Sequence, residues 1–281
     1  MKDDYELLDS GDGRKLERFG GYVLARPCSQ ALWRPSRTTD EWNRADASFD
    51  REDGNRWHGR CNLPKEWTIE TAGVRFRLGG TDFGHLGIFP EQRAQWRWIR
   101  GAVGRLLDSG RRPSVLNLFA YSGGSTMAAA LGGAEVCHLD ASKGMVEWAR
   151  ENARLNGLAD APIRWIVDDA HKFVRREIRR GRRYDAVILD PPTFGRGAGG
   201  EMYKIERDLK DTLSLVRDLL SDRPAFVLFS SHTPGLSPIV AGNILGQLWP
   251  DARLESGEMT LDGAGLSCPS GIYCRAVWPR A

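Results

Sequence analysis

From residue 113 onward the chain alternates short apolar runs with amphipathic stretches at helical spacing, and that alternation narrows the possible folds more than any other feature of the sequence. Strand-like runs fall at 115–119, 135–140, 163–167, 185–190 and 225–230. Helical stretches fall at 125–132, 143–156, 170–180, 205–220 and 238–248, and a β pair at 252–261 and 273–278 closes the series. Strands that alternate with helices form a parallel sheet whose faces are both covered. The pattern therefore predicts an α/β fold: a Rossmann-like, doubly wound, mostly parallel sheet of seven strands. Ser142 is the expected N-cap of helix 143–156, with Asn156 and Gly157 as its stop. A further helix, 91–108, precedes the series, with Ala94, Trp98, Ile99, Ala102, Val103, Leu106 and Leu107 at three-to-four spacing.

The first part of the chain has a different texture. Short β-like runs at 22–24, 31–33, 67–71 and 74–78 lie between turn residues, the last two joined by Ala72-Gly73. This predicts a β-rich lobe over 1–88, for substrate recognition or cofactor cover, ahead of a Rossmann-like domain over 89–281. Trp33, Trp42, Trp57 and Trp67 lie in the lobe, and packing its interior is their expected role rather than stacking on bases. The glycine-rich segment 195–200 reads as a mobile loop.

Composition removes several classes. A chain of 281 residues with 41% hydrophobic and 27% charged residues is neither disordered nor a disulfide scaffold. Forty basic against 37 acidic residues leave +3, too little for general coating of nucleic acid. A local basic patch remains, since 172–183 carries Lys172 and six arginines; a solvated helix face is its expected role and a phosphate grip the alternative. Cys28, Cys61, Cys137, Cys268 and Cys274 form no C-x-x-C pair, so reduced thiols and no metal site are expected. The acidic N-terminus and the lack of an apolar run of about 18 residues predict a cytoplasmic protein without a membrane segment.

The chemistry centres on 115–140: an apolar strand, the turn Tyr121-Ser122-Gly123-Gly124, a helix, and a second strand ending in Asp140. In an open parallel sheet, ligands sit beyond the carboxyl ends of the strands, and an acid at the second strand's end can accept both ribose hydroxyls. A dinucleotide pyrophosphate site needs glycines spaced G-x-G-x-x-G at a helix start. Here the glycines are adjacent and Tyr121 occupies the position two before Gly123, which suits an adenosine and amino-acid ligand without phosphate. Asp168-Asp169-Ala170 follows the third strand, where a carboxylate can accept the adenine amine. Asp190-Pro191-Pro192-Thr193-Phe194 follows the fourth, where proline fixes the backbone and leaves carbonyls and Asp190 turned toward a docked group.

Residues 117–123, 139–142, 168–170 and 190–194, in this order, resemble the motif series of the class I S-adenosylmethionine-dependent methyltransferases, and within them the bacterial large-subunit ribosomal RNA methyltransferases. The resemblance extends from residue 85 to the C-terminus. It implies S-adenosylmethionine as cofactor and an RNA of ribosomal type as partner. It further implies that Phe119, Ala120, Tyr121, Ser122 and Gly123 surround the methionine part, that Asp140 with Ala141 and Ser142 holds the ribose, and that Asp169 with Ala170 holds the adenine. Asp190, Pro191 and Pro192 would form the transfer edge. Phe89, Glu91 and Gln92 are similar to the segment in which that family covers the cofactor, and Phe194 and Lys204 are the substrate candidates.

Two departures qualify the resemblance. Relatives that methylate carbon 5 of cytosine carry a cysteine nucleophile where this chain has Phe229-Ser230-Ser231-His232. Ser231 as nucleophile and Cys268 as a displaced one are the minor alternatives; attack by a base nitrogen, which needs positioning more than activation, is the leading reading. The front lobe, moreover, matches no RNA-binding domain of those relatives. An NAD(P)-dependent oxidoreductase on the same sheet, and a non-catalytic RNA-binding protein with a retained pocket, are the competing classes.

Overall fold

The computed structural model describes residues 3–51, 54–197, 200, 202–263 and 265–278. The chain divides into two compact units: Met1–Ala94 with Met259–Ser270, and Gln95–Glu258 with Gly271–Ala281. The first unit thus runs past residue 88 and also takes in a distant segment that no shift in composition marks.

In the first unit, β1 (Tyr5–Gly11), β2 (Arg14–Phe19), β3 (Tyr22–Pro27), the short helix α1 (Thr39–Trp42), β4 (Ala47–Asp50) and β5 (Arg56–His58) precede the hairpin of β6 (Trp67–Thr71) and β7 (Val74–Leu78). The five strands β1 to β5 form one sheet in chain order, antiparallel except for the parallel pair β3–β4. The β6–β7 hairpin turns, as expected, on Ala72 and Gly73, whose φ angles of 52° and 73° match the right-handed twist of the strands. Residues 31–33 do not form a strand. Their carbonyls instead accept bonds from the β1–β2 turn, Ala31 from the Gly13 amide and Trp33 from the Asp12 amide, each at 2.8 Å.

The core of this unit is aliphatic and phenyl, built on Leu7, Leu16, Phe19, Leu24, Phe49 and Phe76. The four tryptophans are half-buried around it rather than inside it. Each indole N–H is committed: Trp33 to the Ser10 carbonyl, Trp42 to Asp9, Trp57 to the Thr81 carbonyl and Trp67 to the Phe19 carbonyl, at 2.7 to 3.2 Å. Glu17, fully buried on β2, is satisfied by Tyr5 Oη at 2.9 Å, Arg26 Nε at 2.8 Å and Lys15 Nζ at 3.2 Å.

After the hairpin the chain continues with α2 (Arg93–Asp108), β8 (Ser114–Leu118), α3 (Gly124–Leu131), β9 (Glu135–Asp140), α4 (Lys143–Leu155), β10 (Ile163–Val167), α5 (Ala170–Arg179) and β11 (Ala186–Leu189). Then come β12 (Phe194–Arg196), β13 (Met202–Lys204), α6 (Ile205–Leu219), β14 (Phe226–Ser231), α7 (Pro238–Leu248), β15 (Arg253–Leu261) and β16 (Cys268–Val277), of which the end of β15 and the start of β16 are counted with the first unit and the rest, from Gln95 of α2 onward, with the second. The sheet runs β10-β9-β8-β11-β14-β16-β15. From β10 to β14 it is parallel, and β16 lies antiparallel on β14. Of segment 195–200, Gly195 and Arg196 are not loop: they belong to β12, which pairs antiparallel with β13. Ala198 and Gly199 lie outside the described residues.

The parallel part of this order has one reversal. From β8 the chain steps outward to β9 and β10, then returns to place β11 on the other side of β8. The carboxyl ends of β8 and β11 therefore flank the crevice where open α/β sheets hold ligands. Large apolar side chains of α5, α6 and β14, Phe173, Leu213, Val216 and Phe229 among them, fill the core. Among the described residues no helix is long and apolar enough to cross a membrane.

Within the first unit, Leu7 bridges to Gly263 in parallel fashion, and a Cβ on Gly263 would stand 2.0 Å from the Leu7 carbonyl oxygen. Gly263→Ala should lift segment 259–270 off β1. Limited proteolysis checks this, with cleavage in that segment expected in the variant and absent in the parent chain.

Candidate functional site

The turn after β8 is conformationally costly. Phe119, Tyr121 and Gly123 have φ of 54°, 50° and 88°, and for the two aromatic residues each such conformation costs about 1–3 kcal/mol. Surrounding bonds hold it: Ala120 N donates to the Leu139 carbonyl at 3.0 Å, and Gly123 N to the Ala120 carbonyl at 2.9 Å. Gly124 starts α3, and a Cβ there would lie 2.6 Å from the Trp96 ring, so the indole of α2 fixes the approach of this helix.

Asp140, at the end of β9, joins two turns. One carboxylate oxygen accepts from Tyr121 N and the other from Ser142 N, both at 2.8 Å. Its carbonyl also accepts from Asp168 N at 3.2 Å, which brings in the turn after β10. Burial pushes the Asp140 carboxyl above its ordinary range, opposed by the amides of Ser142 and Tyr121. Ser142 caps α4 by accepting from Met145 N at 3.3 Å, as expected. Asn152 of the same helix donates to the Ser122 carbonyl at 2.9 Å. Below the turn, buried Asn117 donates to Thr126 Oγ1 at 2.9 Å, and Thr126 pairs with His138 Nδ1 at 2.9 Å. Burial lowers the His138 ring to about 3, so it stays neutral.

The third turn assigns its acids differently. Asp168 accepts from Asp169 N at 2.8 Å and pairs with Arg176, while Asp169 caps α5 by accepting from Lys172 N at 2.9 Å. Ala170 is buried at the start of that helix.

Beyond β11, Asp190 Oδ1 lies 3.5 Å from Nδ1 of His232, which follows β14. The same two loops are tied by Thr193 Oγ1 and Thr233 Oγ1 at 2.8 Å. Pro191 is buried and Pro192 exposed. Phe194 and Lys204 are opposite one another in the β12–β13 ladder, Phe194 with half its surface exposed. Tyr203, between them in sequence, packs on Phe119 with ring centroids 5.2 Å apart, and burial pushes its hydroxyl up to about 12.

One end of the second unit's sheet thus carries 119–123, 140–142, 168–170, 190–194, 204 and 232. Phe89, Glu91 and Gln92 lie in the first unit, at the 3₁₀ turn Pro90–Gln92. Ser231 is buried, and its hydroxyl accepts from Thr233 N at 3.1 Å. Cys268 belongs to the first unit, where its sulfur faces Cys28. The basic run extends to the opposite, amino edge of the sheet: Arg180, Arg182 and Arg183, with Arg164 and Glu177, line a cavity of about 410 Å³ there. Sequence reasoning missed the pairing of His232 with Asp190, and Tyr203 behind Phe119. The adjacency of β11 and β14 places the first, and only the position of His232 directly after a strand hinted at it.

A family model described as S-adenosylmethionine-dependent methyltransferase matches residues 48–235. Ribosomal RNA large subunit methyltransferase I of Aeromonas salmonicida is 30% identical over 224 residues, which cover 76% of this chain and 53% of that protein. Ribosomal RNA large subunit methyltransferase K/L of Shewanella frigidimarina is 33% identical over 207 residues, covering 73% of this chain and 27% of that protein. The chain therefore spans about half the length of the first relative and about a quarter of the second. Among solved structures, the SAM-dependent methyltransferase from Agrobacterium tumefaciens superposes with a TM-score of 0.92 at 38% identity, covering 98% of this chain and 91% of that one. SMU.776, crystallised with S-adenosylhomocysteine, gives 0.74 at 18% identity over 98% and 76%, a likeness of fold.

The buried ring beneath the turn sets a pH dependence. In the unfolded chain His138 is protonated below about pH 6.5, whereas in the folded protein it stays neutral to about 3. Stability should therefore fall as pH drops below 6.5, by up to about 1.4 kcal/mol per unit. Denaturant midpoints between about pH 6.5 and 5, above the ordinary carboxylate range, check this, with a flatter profile expected for His138→Gln.

Proposed function

The chain belongs to the S-adenosylmethionine-dependent methyltransferase family, and from that premise we propose that it methylates a nitrogen of an RNA base, with Asp190 and His232 serving the transfer. The observation that carries this reading is the meeting of the Asp190 and His232 loops beside the Asp140-stapled turns, with no thiol among them. Both curated relatives described above are named for ribosomal RNA, which supports an RNA of that type as substrate, and reduced thiols fit a cytoplasmic setting.

The residues suit the cofactor. S-adenosylmethionine has hydroxyls, an amine and a cationic sulfur but no phosphate, and the turns offer carboxylates, carbonyls and aromatic rings rather than a glycine cradle for pyrophosphate. That donor set, like the family, speaks against a nicotinamide oxidoreductase. In this reading Asp140 accepts from the ribose hydroxyls, with Ala141 and Ser142 alongside, the backbone of 119–123 lies along the methionine part, and Asp169 with Ala170 borders the adenine. Phe89, Glu91 and Gln92 enter it on their sequence alone.

When bound, the cofactor supplies a methyl group activated by a positive sulfur. The protein's part is to orient the acceptor and take its proton. Asp190 and the carbonyls of Pro191 and Pro192 accept hydrogen bonds from the base, Phe194 stacks on its face, and Lys204, opposite Phe194, meets a phosphate. Asp190 lies beside Nδ1 of His232, and in this reading the imidazole takes the proton that the nitrogen loses. Methylation at carbon 5 would need a covalent thiolate. Ser231 is buried and already bonded to the Thr233 amide, so it does not replace one.

Thermal unfolding with S-adenosylhomocysteine, NAD and NADP tests the first step. Ligand at about 100 times its dissociation constant stabilises by roughly 2.7 kcal/mol, so a shift with S-adenosylhomocysteine alone is expected, and Asp140→Asn should abolish most of it. Labelled methyl transfer to ribosomal RNA, followed by nucleoside analysis, tests the second. An N-methylated base is expected; a 5-methylpyrimidine, or label only in protein, overturns the substrate assignment, and binding without transfer favours a non-catalytic RNA-binding protein.

Asp190→Asn and His232→Asn should each lower kcat by about 10²–10⁴ while leaving the S-adenosylhomocysteine shift intact. A kcat unchanged in His232→Asn removes that residue from proton transfer.

A further inference from the structure

Two cysteines 240 positions apart in sequence meet within the first unit: the sulfurs of Cys28 and Cys268 lie 3.1 Å apart. That is about 1 Å more than a covalent S–S bond of ~2.05 Å. Backbone bonds fix both ends. Cys28 N donates to the Gly13 carbonyl at 2.7 Å, and Ala31 N donates to the Cys28 carbonyl at 3.0 Å. Cys268 opens β16, and the segment that delivers it is bridged to the lobe through Gly263 and Leu7.

The two thiols are not equivalent. Cys28 is half-buried and reachable, Cys268 fully buried. The hydrogen bond from Cys268 holds Cys28 down to about 6 against the effect of burial, aided by the Lys15 ammonium and the amides of Gln30 and Ala31. The same bond and its own burial push Cys268 up, Lys15 opposing and Glu17 adding to the rise. A reachable thiolate beside a buried thiol is the arrangement in which the first is oxidised and the second resolves it. Cys137 and Cys274 are buried, with thiols raised to about 11 by burial, so neither competes for an oxidant.

We propose that Cys28 and Cys268 form a peroxide-reactive dithiol that closes to a disulfide inside the first unit. The Cys28 thiolate attacks one peroxide oxygen, the O–O bond breaks and hydroxide leaves, giving a sulfenic acid on Cys28. The Cys268 sulfur then attacks the Cys28 sulfur, the S–O bond breaks, and the hydroxyl leaves as water with the Cys268 proton. Two thiols are oxidised by two electrons and one peroxide is reduced to water; a small-molecule thiol reverses the change. In a reducing compartment such a bond forms under oxidative stress rather than permanently. Methyl transfer is not needed for this step, so the proposal stands apart from the functional reading.

Treatment of the full chain with stoichiometric hydrogen peroxide, then alkylation after denaturation and peptide mass mapping, tests it. A cross-link between the Cys28 and Cys268 peptides is expected, lost with dithiothreitol and accompanied by a higher unfolding midpoint under non-reducing conditions. Cys28→Ser should abolish both the cross-link and the shift, and Cys61→Ser neither. Recovery of both thiols as alkylated peptides from peroxide-treated, folded protein overturns the proposal, as does over-oxidation of Cys28 without a cross-link.

Discussion

The carboxylate of Asp140 is the fixed point of the second unit. Two strands ending side by side would let their turns diverge, since each turn has its own backbone amides to satisfy. One oxygen on the amide of Tyr121 and the other on that of Ser142 bind the turn after β8 to the turn after β9, and the Asp140 carbonyl draws in the turn after β10 through Asp168. Burial makes the ionised carboxylate unfavourable, which strengthens its demand for those amides. The left-handed conformations of Phe119 and Tyr121 persist because this anchorage over-determines them.

The central parallel strands, β8, β11 and β14, were legible in the sequence because they are buried on both faces. A run such as Ala186–Leu189 has no polar position to confuse its period. The front lobe was harder to read for the opposite reason. Its first two strands bury Asp9, Ser10 and Glu17, Asp9 bonded to the Arg37 amide and Glu17 to Tyr5, so the usual alternation of apolar and polar positions breaks down. The tryptophans misled for a related reason: an indole needs a partner for its N–H, and the edge of the lobe, where carbonyls are available, satisfies it better than the core.

At the candidate site the motif residues could be found because each follows the end of its own strand. His232 could not be paired with Asp190 from sequence, because the pairing depends on β14 lying next to β11, a matter of sheet order. The pair of acids at 168 and 169 showed the limit of local reading. Both end a strand, and only the structure separates the one bonded to Arg176 from the one that caps α5.

The first unit is closed by a segment that the chain reaches only at residues 259–270, after nearly all of the second unit. During synthesis from the N-terminus the lobe emerges first but waits, with Leu7 still lacking Gly263, until most of the polypeptide has left the ribosome. The second unit waits too, since β16 adds its strand to β14 later still. Neither unit can finish folding before residues 259–277 have been made, and both are completed by β15 and β16. Their maturation is therefore coupled to one late stretch of the chain.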